Sequence, residues 1–382
     1  MAEDRRITAP LALSVSRRVF GRTPDDESVD CYTLTNRRGM TVDILTYGAR
    51  IHRLCLPDMH GEIADVALGF DDLEGYTGPD DAYFGATIGR FANRIAGGHF
   101  TLDDQAHQLS TNENGNTLHG GERGFDSRVW AAAPLDTGNA VGVELTLLSP
   151  AGEMGFPGTL AVTLRYTLDD ENRLSLHYSA VCDAPTVINL TNHLYLNLAG
   201  ATHGDILDHA ARLNASRYTP VDDALIPTGR IAPVAGTALD FTRPRRIGQA
   251  IADRAPELAG TGGGYDFNWV LDSAGDIGRL AARVADADSG RAVELYTSEP
   301  GVQFYTSNNL NGEFVGKSGV AYPRYAGFTL EAQRFPDAPN QPGFPGGTVL
   351  RPGEKYTQNT TYKFLPELTP RSSGATHVYD AP

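Results

Sequence analysis

Cysteine is scarce in this 382-residue chain: Cys31, Cys55 and Cys182 stand far apart and form no C-x-x-C pair. So odd and sparse a set excludes a disulfide framework and fits reduced thiols in a cytoplasmic setting. Positive charge is also short, with 32 Lys and Arg against 47 Asp and Glu and a formal net charge of −15. That balance argues against nucleic acid or an anionic membrane as partner, whereas a neutral polyhydroxylated ligand needs no basic field. No apolar run approaches the roughly 20 residues of a spanning helix. Ser16-Arg17-Arg18-Val19-Phe20 resembles a twin-arginine export signal, but the polar run from Gly21 to Glu27 follows where such a signal needs an apolar segment. Without secretion, the N-x-[ST] matches at Asn189, Asn214 and Asn359 carry no weight as glycosylation sites.

Cofactor motifs are missing as well. The segment from Gly312 to Ser318 resembles a phosphate-binding loop, but the required first glycine falls on Asn311 and no helical pattern follows. Gly260-Thr261-Gly262-Gly263-Gly264 lacks the G-x-G-x-x-G spacing because the sixth position is Tyr265. No G-x-S-x-G, H-E-x-x-H or zinc-type Cys/His spacing occurs. An enzyme built on this chain works with bare acids and bases.

What is present is alternation. Leu160, Val162, Leu164, Tyr166 and Leu168 alternate with polar or small residues, and Leu174, Leu176, Tyr178 and Ala180 repeat the pattern after a turn at 169–172. The pair predicts a β-hairpin with one buried face. Similar runs occur at 141–147, 40–56, 292–307 and 326–333, and the best helix candidate is Arg245 to Leu258. Gly 42 and Pro 23 make about one residue in six, which suits many turns without reaching the level of disorder. The expectation is an all-β chain: one large β-sandwich domain over residues 1–365 with a few short helices, then a flexible tail over 366–382.

Two of these strands place chemistry on one side. If Leu190, Leu194, Leu196 and Leu198 share a face, then Thr191, His193, Tyr195 and Asn197 share the other. Phe328, Leu330 and Ala332 likewise send Thr329, Glu331 and Gln333 to the opposite face. A third segment offers Gln303, Tyr305 and Ser307 together. Amides, aromatics and hydroxyls on adjoining faces suit a sugar, which is held by ring stacking and directional hydrogen bonds. Periodicity by itself does not separate a catalytic His193 or Glu331 from a solvated one.

At these residues the sequence resembles the galactose mutarotase (aldose 1-epimerase) family, over about 320 residues. The resemblance rests on an ordered series: Tyr47-Gly48-Ala49, the block from Leu68 to Tyr76, Gly89-Arg90-Phe91-Ala92-Asn93-Arg94-Ile95, Asn116-Thr117-Leu118-His119-Gly120-Gly121, Asn189-Leu190-Thr191-Asn192-His193, Gly264-Tyr265-Asp266, Gly301-Val302-Gln303-Phe304-Tyr305 and Leu330-Glu331-Ala332-Gln333. It implies a large supersandwich with an open sugar cleft on one sheet. It further implies Glu331 as general base and His193 as general acid. Asn93, Arg94, His119, Asp266 and Gln303 then contact the sugar, His119 supports the acid step, and Tyr195 lines the cleft. The partner implied is a free aldose such as galactose or glucose, with neither metal nor other cofactor.

Such residues suit the reaction. Opening a hemiacetal ring removes a proton from the anomeric hydroxyl and delivers one to the ring oxygen, and reclosure reverses both transfers. Glutamate and a histidine, with an intrinsic pKa of about 6.5, can do this near neutral pH. Two rivals stay open here: an epimerase of sugar 6-phosphates, drawing on Arg90, Arg94 and Arg334, and a non-catalytic sugar-binding protein. The family commonly has His-Asn after the Tyr-Asp pair, where this chain has Phe267-Asn268-Trp269. It has Ser-Tyr-Phe where this chain has Leu194-Tyr195-Leu196. These departures leave the preferred sugar open, and oligomeric state has no signature in the sequence.

Overall fold

The computed structural model describes residues 12–78 and 82–366. The alternating segments become a nine-stranded antiparallel sheet in the order Ala131–Asp136, Ala140–Ser149, Leu160–Asp169, Arg173–Cys182, Tyr356–Pro366, Arg291–Thr297, Ala282–Ala285, Ala210–Leu213, Arg245–Arg246. Its central hairpin is the one expected, with Leu168 opposite Leu174 and Leu164 opposite Tyr178. Leu164, Tyr166, Leu176 and Tyr178 are buried, and the intervening residues are more exposed, so a single face of the hairpin builds core. The fold is an all-β sandwich, as expected.

A five-stranded sheet packs over that core: Ala232–Pro233, Arg217–Thr219, Asp266–Val270, Gly301–Tyr305, Thr329–Gln333. Register puts Glu331 beside Gln303 and Gln303 beside Asn268, while Leu330, Phe304 and Phe267 form the neighbouring row. Because side chains alternate, the first row faces away from the second. Leu330 and Phe304 join the same hydrophobic cluster as Leu164 and Tyr362 of the large sheet. The Tyr362 hydroxyl donates to the Leu330 carbonyl at 2.9 Å, tying one sheet to the other directly behind Glu331. A second five-stranded sheet, from Ser14–Arg22 through Ile63–Asp65, completes the layers.

Three expectations need correction. Residues 190–198 are not one strand: only Thr191–Asn192 pairs regularly, with Thr87–Ile88, and Leu196 makes single bridges to Ala67 and Phe328. Strand Gly301–Tyr305 stops before Ser307, which turns with φ +49° and donates its hydroxyl to the Gly327 carbonyl instead of joining Gln303 and Tyr305. The helix expected from Arg245 to Leu258 shrinks to Gly248–Ala252 plus a 3₁₀ turn at Pro256–Leu258. Arg245–Arg246 becomes an edge strand, and Arg254 adopts φ +51°, which ends the helix before Pro256. Of the expected tail, Pro366 closes the last strand and 367–382 lie outside the described residues. All three cysteines are free.

Candidate active site

His193 follows the short strand Thr191–Asn192. Its backbone N–H donates to the Ala86 carbonyl at 2.8 Å, and its carbonyl accepts from Gly85 at 3.0 Å. Asn189 secures the surrounding segments. Its side-chain amide donates to the carbonyls of Ala92 and Arg334, and its side-chain oxygen accepts from the Arg334 N–H. One buried asparagine thus joins the chain before Asn93, the chain before His193 and the chain after Glu331.

These anchors bring His193 Nε2 to 3.5 Å from Glu331 Oε1. The Thr329 hydroxyl donates to the same carboxylate oxygen at 2.9 Å, and Oε2 is buried with no protein hydrogen-bond partner. Burial pushes Glu331 up to about 8, opposed by the Thr329 hydrogen bond, raised further by Asp266 and opposed by Arg94. Burial pulls His193 down to about 3. Both shifts favour the uncharged form of each group, so the proton the pair shares is drawn toward the glutamate.

Asn93 and Arg94 enter on a strip, Arg94–Ile95, paired with Thr117–Leu118. Asn93 adopts φ +65°, a conformation asparagine tolerates, and its side-chain oxygen accepts from the Arg94 N–H. The Asn93 carbonyl accepts from the His119 N–H, and the Asn93 N–H donates to His119 Nδ1, both at 3.2 Å. With Nδ1 an acceptor, the imidazole proton sits on Nε2. Burial, aided by His193 and Arg94, holds His119 well below the usual histidine range, so it stays neutral. Gly120 follows at φ +94°, and a β-carbon there would lie 2.1 Å from the Gly89 carbonyl oxygen, so only glycine lets this segment close on the Gly89 chain.

Asp266 accepts a 2.7 Å hydrogen bond from Gln303 Nε2, which fixes the amide and leaves Oε1 as a buried acceptor without a protein partner. Tyr195 packs beside His193, and Tyr83 beside His119, with ring centroids 4.9 and 4.7 Å apart. All eight residues expected from the sequence line a single open cavity of about 650 Å³. Tyr305, expected on the same face, lines it too.

Other wall residues were not anticipated: Tyr83, Glu113, Asn309, Glu313 and Phe314. Glu113 had a signal, because Asn114-Gly115 is a two-residue hairpin turn that sets Glu113 opposite Asn116, just before the strip that pairs with Arg94. The others come from loops distant in sequence. Phe267, Trp269, Leu194 and Leu196 all belong to the hydrophobic core beneath the cleft, and none of them lines the cavity.

His119, His193 and Glu331 place potential ligand atoms within 4.8 Å of one another, the donor types of a zinc site. His119 does not fit that role. Its Nδ1 lone pair is taken by Asn93, and its Nε2 carries the proton. Of the three arginines open to a phosphate, only Arg94 reaches the cavity. Arg90 is buried against Ser149, Pro157 and Gly158, and Arg334 lies 3.0 Å from buried Glu299.

The aldose 1-epimerase family model matches residues 30–363. Galactose mutarotase of Rattus norvegicus is 45% identical over 353 residues, covering 92% of this chain and 99% of that protein. Aldose 1-epimerase of Escherichia coli (strain K12) is 37% identical over 346 residues, covering 90% and 97%. The crystal structure of galactose 1-epimerase from Lactobacillus acidophilus superposes with a TM-score of 0.82 at 31% identity, covering 93% of this chain and 99% of that one. By sequence and by fold alike, the chain belongs to the aldose 1-epimerase family.

Proposed function

We propose that the cleft interconverts the α and β anomers of a free, uncharged aldose such as galactose or glucose, with Glu331 as base, His193 as acid and no cofactor. As an aldose 1-epimerase the protein is an isomerase acting on aldose anomers. The assignment of the pair is carried by the 3.5 Å approach of His193 Nε2 to Glu331 Oε1 inside the cavity. The anomeric oxygen and the ring oxygen are both bonded to C1, so a base and an acid serving them must be neighbours.

Glu331 takes the proton of the anomeric hydroxyl, the C1–ring oxygen bond breaks as the C1 carbonyl forms, and His193 delivers a proton to the leaving ring oxygen. Rotation about C1–C2 and the reverse transfers close the other anomer. The pair begins and ends with one proton, so no external donor is consumed. Glu331 protonated beside neutral His193, and Glu331 ionised beside charged His193, differ only in where that proton sits. The neutral His119 Nε2–H supplies a fixed donor to the oxygen that gains negative charge.

The arginine arrangement favours a neutral sugar over a sugar phosphate, since two of the three candidates are committed elsewhere. The free cysteines support a reducing, cytoplasmic setting. Polarimetry of fresh α-glucose, α-galactose and arabinose, with and without the protein, tests the reading. Equilibration no faster than the buffer blank for all three sinks it.

A further inference from the structure

We infer that Glu113 is a specificity-determining residue: by occupying the fork of Arg94 it makes the cleft accept uncharged aldoses and reject anionic ones. This rests on the aldose reading above and concerns a residue that plays no part in the proton transfers.

Among the described residues, Arg94 is the one cationic side chain lining the cavity, beside four acidic side chains: Glu113, Asp266, Glu313 and Glu331, the last pushed toward its protonated form by burial. Its Nε donates to Glu113 Oε2 and its Nη2 to Oε1, both at 2.6 Å. That is the parallel two-bond geometry by which a guanidinium recognises a carboxylate or a phosphate. Arg94 is 8% exposed and Glu113 26%, so the pair is partly shielded and its partner is not readily exchanged for solvent. Burial is the largest single influence on Arg94 and opposes its charge, yet the Glu113 hydrogen bond together with the charges of Asp266, Glu113 and Glu331 outweighs it and holds the guanidinium above its ordinary pKa.

Two consequences follow for a ligand. The Nε–Nη2 edge of Arg94, one of its two edges able to clasp an anionic substituent, is filled, which leaves Nη1 and the second N–H of Nη2 to donate to hydroxyl oxygens. An incoming carboxylate or phosphate also finds Arg94 already neutralised by Glu113, with Asp266 and Glu313 lining the same cavity. Like charges brought together in a confined site repel, and building in such repulsion is how a site rejects a near-isostere. The hairpin turn at Asn114-Gly115 holds the carboxylate in place, and this turn is a local feature that substitution at Glu113 leaves intact.

The test compares galactose with galacturonate, and glucose with glucose 6-phosphate, by NMR exchange between anomers. Wild type is expected to favour the neutral member of each pair. Glu113→Gln keeps the shape and removes the charge, and should narrow the ratio of kcat/KM by on the order of tenfold or more, chiefly through the KM of the anion. Glu313→Gln removes a carboxylate that makes no ion pair with Arg94 and should narrow it less. A ratio unchanged in folded, active Glu113→Gln overturns the inference, and so does an equal effect from Glu313→Gln. Should Glu113→Gln fail to fold, Glu113→Ala must move the ratio in the same direction. Absence of activity on both neutral sugars in the wild type sinks the aldose reading and this inference with it. An unchanged ratio in an active enzyme sinks this inference alone.

Discussion

The hydroxyl of Thr329 donates a 2.9 Å hydrogen bond to Oε1 of Glu331, two residues along the same strand and on the same face. Donation to a carboxylate stabilises its ionised form, and here it opposes the upward push of burial. It also fixes which oxygen is engaged, leaving Oε2 without a protein partner. Thr329→Val keeps the shape and deletes the donor. A hydrogen bond to a charged group is worth about 1.5–3 kcal/mol, so kcat should fall by on the order of tenfold or more. The alkaline limb of the pH–rate profile should move upward, because Glu331 then gives up its proton at higher pH. Thr329→Ser should restore both. A loss of kcat with the limb unmoved and no rescue by Ser would show that Thr329 merely packs.

The acid–base pair itself makes a second prediction. With Glu331 near 8 and His193 near 3, the free pair holds one proton between those values, which is the number the reaction needs. The profile of kcat/KM should be flat through neutrality and fall as pH rises through about 8, where the proton is lost. Glu331→Gln and His193→Asn should each lower kcat by on the order of 10²- to 10⁴-fold. The double variant should be little worse than either single one, because the two groups act on one ring opening. NMR anomer exchange with a sugar titration checks this. Either variant keeping most of its kcat while folded refutes the role given to that residue.

How far the sequence anticipated this site varied with the origin of each residue. Glu331 and Gln303 were legible because they sit on regular strands, where a period of two separates core from cleft. His193 and Tyr195 were placed on the correct side although their segment is not a strand. Its backbone groups bond in turn to Ala86, Gly85, Leu68 and Phe328, so the chain is extended without a single partner strand, and periodicity reads extension, not pairing. Asn189 passed unnoticed as a brace because its partners, Ala92 and Arg334, are distant in sequence. Phe314 and Glu313 come from a loop held by Lys317, whose ammonium reaches Asp65 and the Ala67 carbonyl. That long-range anchor leaves no local pattern.

A third prediction concerns stability against pH. Burial lowers His52 to about 2, His193 to about 3 and His209 to about 4, and holds His119 well below its ordinary value. Each favours the native state above the unfolded value of about 6.5, and this contribution is lost as pH falls. Burial raises Glu331 to about 8, Glu299 to about 7 and Asp266 above its usual range. Their contribution is lost as pH rises toward those folded values. Below 6.5 the four histidines outnumber the acids, and above 6.5 the histidine contribution fades while Glu331 and Glu299 still hold protons that the unfolded chain has lost. The melting temperature should therefore peak near pH 6.5 and decline on both sides, with Glu331→Gln flattening the alkaline side. Each net proton changes stability by about 1.4 kcal/mol per pH unit, within reach of calorimetry at constant ionic strength. A melting temperature that climbs steadily from pH 6.5 to 8 would contradict the account.

The last prediction turns on His119. Both backbone groups of Asn93 engage it, and the bond into Nδ1 leaves Nε2–H as the only proton the ring can present. Protonating Nδ1 would set two N–H groups against each other, and ligating a metal would require breaking the Asn93 bond or stripping Nε2. His119 should therefore act as a neutral donor at every pH where the enzyme works. Histidine ¹⁵N shifts should report an unprotonated Nδ1 from pH 5 to 9. A glutamine amide can stand where Nε2–H stood, so His119→Gln should retain far more kcat than His119→Ala, while His119→Asn, which mimics the Nδ1 side, should resemble Ala. Activity should also survive EDTA, because the three-residue cluster cannot offer three lone pairs without giving up that hydrogen bond or deprotonating Nε2. Loss of activity on chelation, restored by a divalent ion, would mean that the Asn93 bond yields to a metal. Glu331 and His193 would then serve as ligands instead of base and acid.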